Sequence, residues 1–249
     1  MNSLPANGLR ARLFKQLSNF NLDVEITCGQ EEILALVGPS GSGKTTVLRC
    51  LAGLETPDQG EVCFGGDIWS RGNKLHRTPQ HRRVGLLSQD ALLFPHMTLR
   101  ENVEFAMPMQ EDPGPLFEQM GIRHLVDRKP YQVSGGERQR AALCQVLASS
   151  PCMLLLDEPF SALDVENRFM LRELILNLRR THHLPILHVT HDLADGLNMA
   201  DRVVSLRDGR HDPDWLKRQT TLLRQQAAGL SLATAGCQET PQAYVRHSA

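Results

Sequence analysis

The octet Gly38-Pro39-Ser40-Gly41-Ser42-Gly43-Lys44-Thr45 constrains this chain more than any other feature. It fits G-x-x-x-x-G-K-[ST], follows the apolar run ILALVG (33–38) and opens the helical pattern TTVLRCLAGL (45–54). Strand, glycine-rich turn and helix in that order make a cradle for phosphate. The glycines let backbone N–H groups converge on anionic oxygens, and the helix aims its positive end at the same charge. In such a loop Lys44 neutralises β- and γ-phosphates, the Thr45 hydroxyl ligates Mg2+, and Thr46 follows in the helix. A plain glycine-rich turn is the competing reading, which the flanking strand and helix disfavour.

A phosphate loop of this kind needs a sheet behind it. The short apolar runs VGLLSQ (84–89), CMLLLD (152–157), PILHVT (185–190) and RVVSL (202–206) suit strands buried on both faces of a parallel sheet. Helical patterns lie between them, at GERQRAALCQVLASS (136–150) and ENRFMLRELILNLRRTH (166–182). The alternation predicts an α/β fold. Residues from about 91 to 150 read as a helical insertion, and residues 10–32 and 56–70 as an antiparallel edge. Asp212-Pro213 predicts a further helix, with WLKRQTTLLRQQAAGL in it and a frayed tail after about 231. The 249 residues, 41% of them hydrophobic, are enough for one large core with an insertion.

Composition removes several functions. Lys and Arg (27) nearly balance Asp and Glu (28), so the net charge of −1 suggests no nucleic-acid groove. Cys28, Cys50, Cys63, Cys144, Cys152 and Cys237 form no C-x-x-C pair. They read as small buried hydrophobes in a reducing compartment rather than zinc or redox ligands. No apolar stretch approaches the roughly 18 residues of a membrane span, and the N-terminus lacks a signal-peptide core. The expectation is a soluble, cytosolic chain.

Candidate chemistry gathers at strand ends, where open α/β sheets bind ligands. LLLDEP leaves Asp157 and Glu158 there. Asp157 is suited to hold magnesium, and Glu158 to accept a proton from attacking water. His191 follows PILHVT and can hydrogen-bond a γ-phosphate or that water. Gln89 ends VGLLSQ and can ligate Mg2+ or orient water. VSGGERQR (133–140) holds an S-x-x-E capping box, Ser134 with Glu137, that marks a helix start. The box leaves Gly135 and Gly136 unexplained, since glycines weaken a helix start. Two there suggest close approach of something to the backbone.

Together these residues resemble the ATP-binding cassette (ABC) family of transport ATPases over about residues 10–210. GPSGSGKT is similar to Walker A, Gln89 to the Q-loop, VSGGERQR to the signature, LLLDEP to Walker B, SALD (161–164) to the D-loop and His191 to the switch histidine. They occur in the family's order, with 45 residues from Lys44 to Gln89 and 45 from Gln89 to Ser134. The resemblance implies a P-loop NTPase (RecA-like) core with an antiparallel β subdomain and an inserted helical subdomain. It implies that two cassettes, a homodimer or a pair with a second ABC subunit, face head to tail. ATP then lies between the Gly38–Thr45 loop of one and Ser134, Gly135, Gly136 and Glu137 of the other, with Asp164 at the dimer interface. Departures are Val133 for the usual leucine, Glu137 for glutamine, and an adenine contact left open among Leu17, Phe14 and Phe20.

The segments RLFKQLSNFNLDVEI and TPQHRRVG are similar to molybdate-importer ATPases, and sulfate, thiamine and polyamine importers share much of the pattern. The implied role is an ATP-hydrolysing subunit at the cytoplasmic face of the inner membrane. It would be peripheral, docked on transmembrane permease subunits near Gln89 to Asn102 and coupled through them to a substrate-binding protein. A non-transport ABC ATPase is the other class. About 39 residues follow Arg210, too few for the β-rich regulatory domain common in molybdate-type ATPases.

Overall fold

A computed structural model describes residues 8–108 and 111–235, with side chains to residue 226. Two units are distinguished, one ending at Asp212 and one beginning at Pro213.

The first unit holds two sheets. Strands β1 (Leu9–Gln16), β2 (Asn21–Cys28), β4 (Gln59–Phe64), β5 (Asp67–Arg71) and β6 (Lys74–Leu75) form an antiparallel sheet in the order β2-β1-β4-β5-β6. Strands β3 (Ile33–Val37), β7 (Val84–Leu87), β8 (Met153–Asp157), β9 (Ile186–Thr190), β10 (Arg202–Arg207) and β11 (Arg210–His211) form the other, in the order β11-β10-β3-β9-β8-β7. There β10, β3, β9, β8 and β7 run parallel. The strands expected at an antiparallel edge thus form a sheet of their own. The reason lies in their alternation: β1 buries Leu9, Ala11 and Leu13 and exposes Arg10 and Arg12, so it has one face to cover. Strands β3 and β9 are buried at every residue, as central strands with both faces covered require.

Helix α1 (Lys44–Ala52) fills the space between the sheets. Its Val47, Leu48 and Leu51 pack with Leu13, Leu22 and Val62 of the antiparallel sheet and with Leu36 and Leu187 of the parallel one. Each such side chain contributes about 1.5–3 kcal/mol on burial. The helix ends at Gly53, whose left-handed φ of 78° lets its N–H reach back to the Cys50 carbonyl.

The segment predicted as a helical insertion contains α3 (Leu99–Ala106), α4 (Gly114–Gln119), two short 3-10 turns and α5 (Gly135–Ala148), after the one-turn α2 (Pro79–Arg82). Leu99, Val103, Phe117, Ala141 and Cys144 join these helices to α6 (Val165–His182) in a second core. Helix α7 (Leu193–Met199) completes the unit. Cys28, Cys50 and Cys144 are buried, as expected, whereas Cys63 and Cys152 are only partly so; Cys237 lies outside the described residues. Helix α8 (Pro213–Ala235) forms the second unit and begins at the predicted proline; it runs on through residues 232–235, where the sequence predicts the frayed tail to have begun, and the rest of that tail falls outside the described residues. Among the described residues no helix is long and apolar enough to cross a membrane.

Candidate functional site

Strand register assembles the site. Val37 pairs with Thr190, and Asp157 with Val189, so β3, β8 and β9 end side by side. The residues that follow each strand therefore emerge together: the loop from Gly38, the Asp157-Glu158 turn and His191.

The loop turns through Gly43, whose φ is 102°, into α1. Lys44 is only 6% exposed. Its ammonium donates to the Gly38 and Pro39 carbonyls at 2.8 and 2.9 Å. Burial lowers its pKa, and the nearby Glu158 and Asp157 charges oppose that shift. The Thr45 hydroxyl donates to the Asp157 carboxylate at 3.2 Å. Burial raises the pKa of Asp157, with the Thr45 bond acting against it. The Ser42 hydroxyl is buried with no protein partner. A cavity of about 330 Å³ opens beside the loop, lined by Leu17, Asn19, Phe20, Gly41, Lys44 and Thr46. Of the three candidates for a base contact, Leu17 and Phe20 line this cavity and Phe14 does not.

Glu158 has a left-handed backbone, φ 51°, strain of order 1–3 kcal/mol for a residue of this kind. Its N–H donates to the Val189 carbonyl at 2.9 Å, which ties the turn to β9. Its carboxylate accepts the His191 backbone N–H at 2.9 Å and the Thr190 hydroxyl at 3.3 Å, and lies 2.8 Å from His191 Nδ1. The base and histidine predicted separately are thus in direct contact.

The other predicted residues stand apart from this cluster. Gln89 lines a hollow of about 140 Å³ with Gly135, Arg138, Pro159 and Leu163, and no hydrogen bond joins it to Thr45 or Asp157. Ser134 caps α5 as the sequence predicts: its hydroxyl accepts the Glu137 N–H at 3.3 Å, and Glu137 accepts the Ser134 N–H at 2.7 Å. That backbone bond holds the Glu137 carboxyl below its ordinary pKa. Gly135 faces open space, whereas Gly136 lies against the Asn167 side chain of α6. Asp164 caps α6, accepting the Asn167 N–H and side-chain N–H at 2.8 Å each, which lowers its pKa.

Residues 22–161 match the family model described as ABC transporter. The chain belongs to the ABC transporter family. It is 40% identical over 211 residues to the molybdenum import ATP-binding protein ModC of Methylococcus capsulatus, covering 81% of this chain and 58% of that protein. It is 40% identical over 209 residues to the molybdate/tungstate import ATP-binding protein WtpC of Archaeoglobus fulgidus, covering 81% and 84%. The ATP-binding cassette MJ0796, solved as a dimer in a post-hydrolysis state with ADP and Pi, superposes with a TM-score of 0.71 at 26% identity, covering 82% of this chain and 96% of that one. The chain thus spans under two thirds of the length of the ModC relative.

In this ABC cassette several residues near the site escaped the sequence reading. Asn167 bonds both Asp164 and Arg140, and Arg168 reaches the loops after β8 and β9. Thr190 and Asp192 complete the contacts around Glu158. The available signal was position: Asn167 and Arg168 lie three and four residues after the predicted Asp164, in the first helical turn.

Proposed function

We propose that this chain is the ATP-binding and ATP-hydrolysing subunit of a membrane importer, with residues 1–210 carrying the activity. The observation that carries the reading is the convergence of Lys44, Thr45, Asp157, Glu158 and His191 at the ends of β3, β8 and β9. The residues fit MgATP. The Lys44 ammonium, whose hydrogen-bond partners among the described residues are two carbonyls, is available to β- and γ-phosphate oxygens. Gly41 has open space beside it, and the partnerless Ser42 hydroxyl lies on the same loop. Thr45 and Asp157, already in contact, would hold Mg2+ with Gln89, and the ion would neutralise charge developing on the phosphates. Leu17 and Phe20 would bound the adenine.

Glu158 takes the proton of a water attacking the γ-phosphorus as the bond to the ADP oxygen breaks. Its contact with His191 would keep the carboxylate oriented and the imidazole near the same phosphate. The open Gly135 at the capped start of α5 supports a composite site in which Ser134, Gly135, Gly136 and Glu137 meet ATP held by a second cassette. Closure of the pair on ATP, and reopening after hydrolysis, would move permease subunits docked near the exposed Leu92, Phe94 and Phe105. Molybdate or a related oxyanion is the proposed cargo, delivered by a substrate-binding protein, on the strength of the ModC and WtpC likenesses. The chain would then work at the cytoplasmic face of the membrane.

Glu158→Gln tests this. It keeps the size of the side chain and removes its basicity. The expected result is ATP binding within about twofold of the parent, turnover reduced by roughly 100-fold or more, and an ATP-trapped dimer on size exclusion. Undiminished turnover would exclude Glu158 as the base.

A further inference from the structure

Glu158 and His191 stand on different loops, one after β8 and one after β9, and the bonds between them run through Glu158 alone, from its carboxylate and its backbone N–H. The Arg168 guanidinium, on the first turn of α6, reaches both. Its Nη2 donates to the carbonyl of Phe160, two residues beyond Glu158, at 3.4 Å. Its Nη1 donates to the carboxylate of Asp192, the residue after His191, at 3.3 Å, and lies 3.5 Å from Asp195. A planar fork with several donors can span such acceptors, which a lysine ammonium cannot do as well.

Each partner is itself held. The Asp192 carboxylate accepts the Ala194 N–H at 2.8 Å and so caps α7. The Asp192 N–H donates to Thr190 Oγ1 at 3.0 Å, and that hydroxyl donates onward to Glu158. Asp195 is 5% exposed and takes Arg172, one turn along α6, at 3.0 Å. On the Glu158 side, the Phe160 ring is buried edge-on to His188 with centroids 5.3 Å apart. Arg168 is anchored at its own end, since its backbone N–H donates to the carbonyl of Asp164 at 2.9 Å.

Ion pairs of this half-buried kind return little net stability, because desolvation offsets attraction. A cluster of two arginines and two aspartates that also takes in the Phe160 carbonyl, and so joins α6 to two loops, is better suited to setting one geometry. We propose that Arg168 is a positioning residue for ATP hydrolysis: through Phe160 and Asp192 it fixes the spacing between the Glu158 turn and the His191 loop. It touches neither phosphate nor water itself. The proposal rests on the reading of Glu158 and His191 given above.

The test compares Arg168→Ala and Arg168→Lys with Glu158→Gln. Misplacing a reacting group by about 1 Å costs on the order of 100-fold, so Arg168→Ala should lose roughly that in kcat. ATP affinity, measured by fluorescent-nucleotide displacement, should stay within about twofold, because the side-chain partners of Arg168 are Phe160, Asp192 and Asp195 rather than the phosphate loop, and ATP-driven pairing on size exclusion should persist. Arg168→Lys should recover about a tenth to a half of the lost activity, since it restores charge without the fork. Full kcat in Arg168→Ala overturns the proposal, as does a loss shared equally by ATP affinity and melting temperature. If Arg168→Ala does not fold, Arg168→Gln takes its place with the same expectations, and failure of both to fold assigns Arg168 to the fold alone. If Glu158→Gln retains turnover, the underlying reading fails; if it is inactive while Arg168→Ala is not, only the present proposal does.

Discussion

Adjacent glycines at the start of α5 should respond oppositely to alanine. A Cβ built on Gly136 lies 2.3 Å from Asn167 Oδ1 and 2.5 Å from its Cγ. The Asn167 side chain cannot simply swing away, because it donates to Asp164 at 2.8 Å and accepts from Arg140 at 3.2 Å. Gly136→Ala must therefore break those bonds or overpack the crossing of α5 with α6. Overpacking costs about 1–3 kcal/mol, and each lost bond about 0.5–1.5 kcal/mol or somewhat more when charged. Alanine returns up to about 1 kcal/mol as the better helix former. The net expectation is a loss of about 1–3 kcal/mol, or roughly 2–12 °C in melting temperature for a domain of this size. Gly135 has no neighbour within 4 Å of such a Cβ, so Gly135→Ala should be neutral or gain up to about 1 kcal/mol. In the proposed composite site the same methyl meets the partner's nucleotide, so Gly135→Ala should weaken ATP-driven pairing while the monomer stays stable. Urea titration and calorimetry read the first effect, size exclusion with ATP the second. Adding Asn167→Ala should relieve Gly136→Ala in part, leaving a Cβ contact of 3.0 Å. Equal stability of the two single variants would refute this account of the signature glycines.

Two further variants probe buried polar groups. Arg82 is 1% exposed, stands over Trp69 and donates to the Cys50 and Leu51 carbonyls at 2.8 and 2.6 Å, at the negative end of α1. Burial lowers its pKa only to about 10, so it remains a cation at neutral pH. Arg82→Met should cost about 2–4 kcal/mol in urea unfolding by stripping the Leu51 carbonyl of its guanidinium donor and leaving the Cys50 carbonyl only the Gly53 N–H, with Arg82→Lys between; a gain in stability would mean the guanidinium is a net burden. His188 is fully buried with neither ring nitrogen partnered, and burial depresses its pKa from 6.5 to about 3. The unfolded chain takes up this proton first, so the stabilisation is present above pH 6.5 and is lost as pH falls toward 3, by up to about 1.4 kcal/mol per unit. His188→Leu should be neutral or stabilising at pH 7 and should flatten urea midpoints between pH 6.5 and 4; curves parallel to the parent would contradict the burial of a neutral imidazole.

What could be read from the sequence was chemistry written along a single segment. The Gly38–Thr45 loop carries its own strand and helix, LLLDEP its own strand end, and Ser134 with Glu137 a cap whose two bonds both form. Strand identity was similarly local, since burial patterns follow period and run length. Sheet membership was not, because alternation in residues 10–32 says that one face is covered without saying by what; the answer is α1, which lies between the sheets. The contact of Glu158 with His191, 33 residues apart, depends on β8 and β9 being neighbours, a fact of strand order.

The least legible element was the first turn of α6. After the Asp164 cap, Asn167 turns to the signature helix and Arg168 to the loops of Glu158 and His191. By pattern alone both are polar residues in the exposed opening of an amphipathic helix. Their partners beyond their own helix come from the crossing of α5 with α6 and from the meeting of the loops after β8 and β9. The same crossing changes the meaning of the paired glycines. Gly136 is required inside the chain, by Asn167, and Gly135 alone is left facing outward. In the proposed composite site one open glycine, Gly135, suffices for the approaching anion; Gly136 is there so that the helix start can rest on α6, against the Asn167 side chain that Asp164 holds.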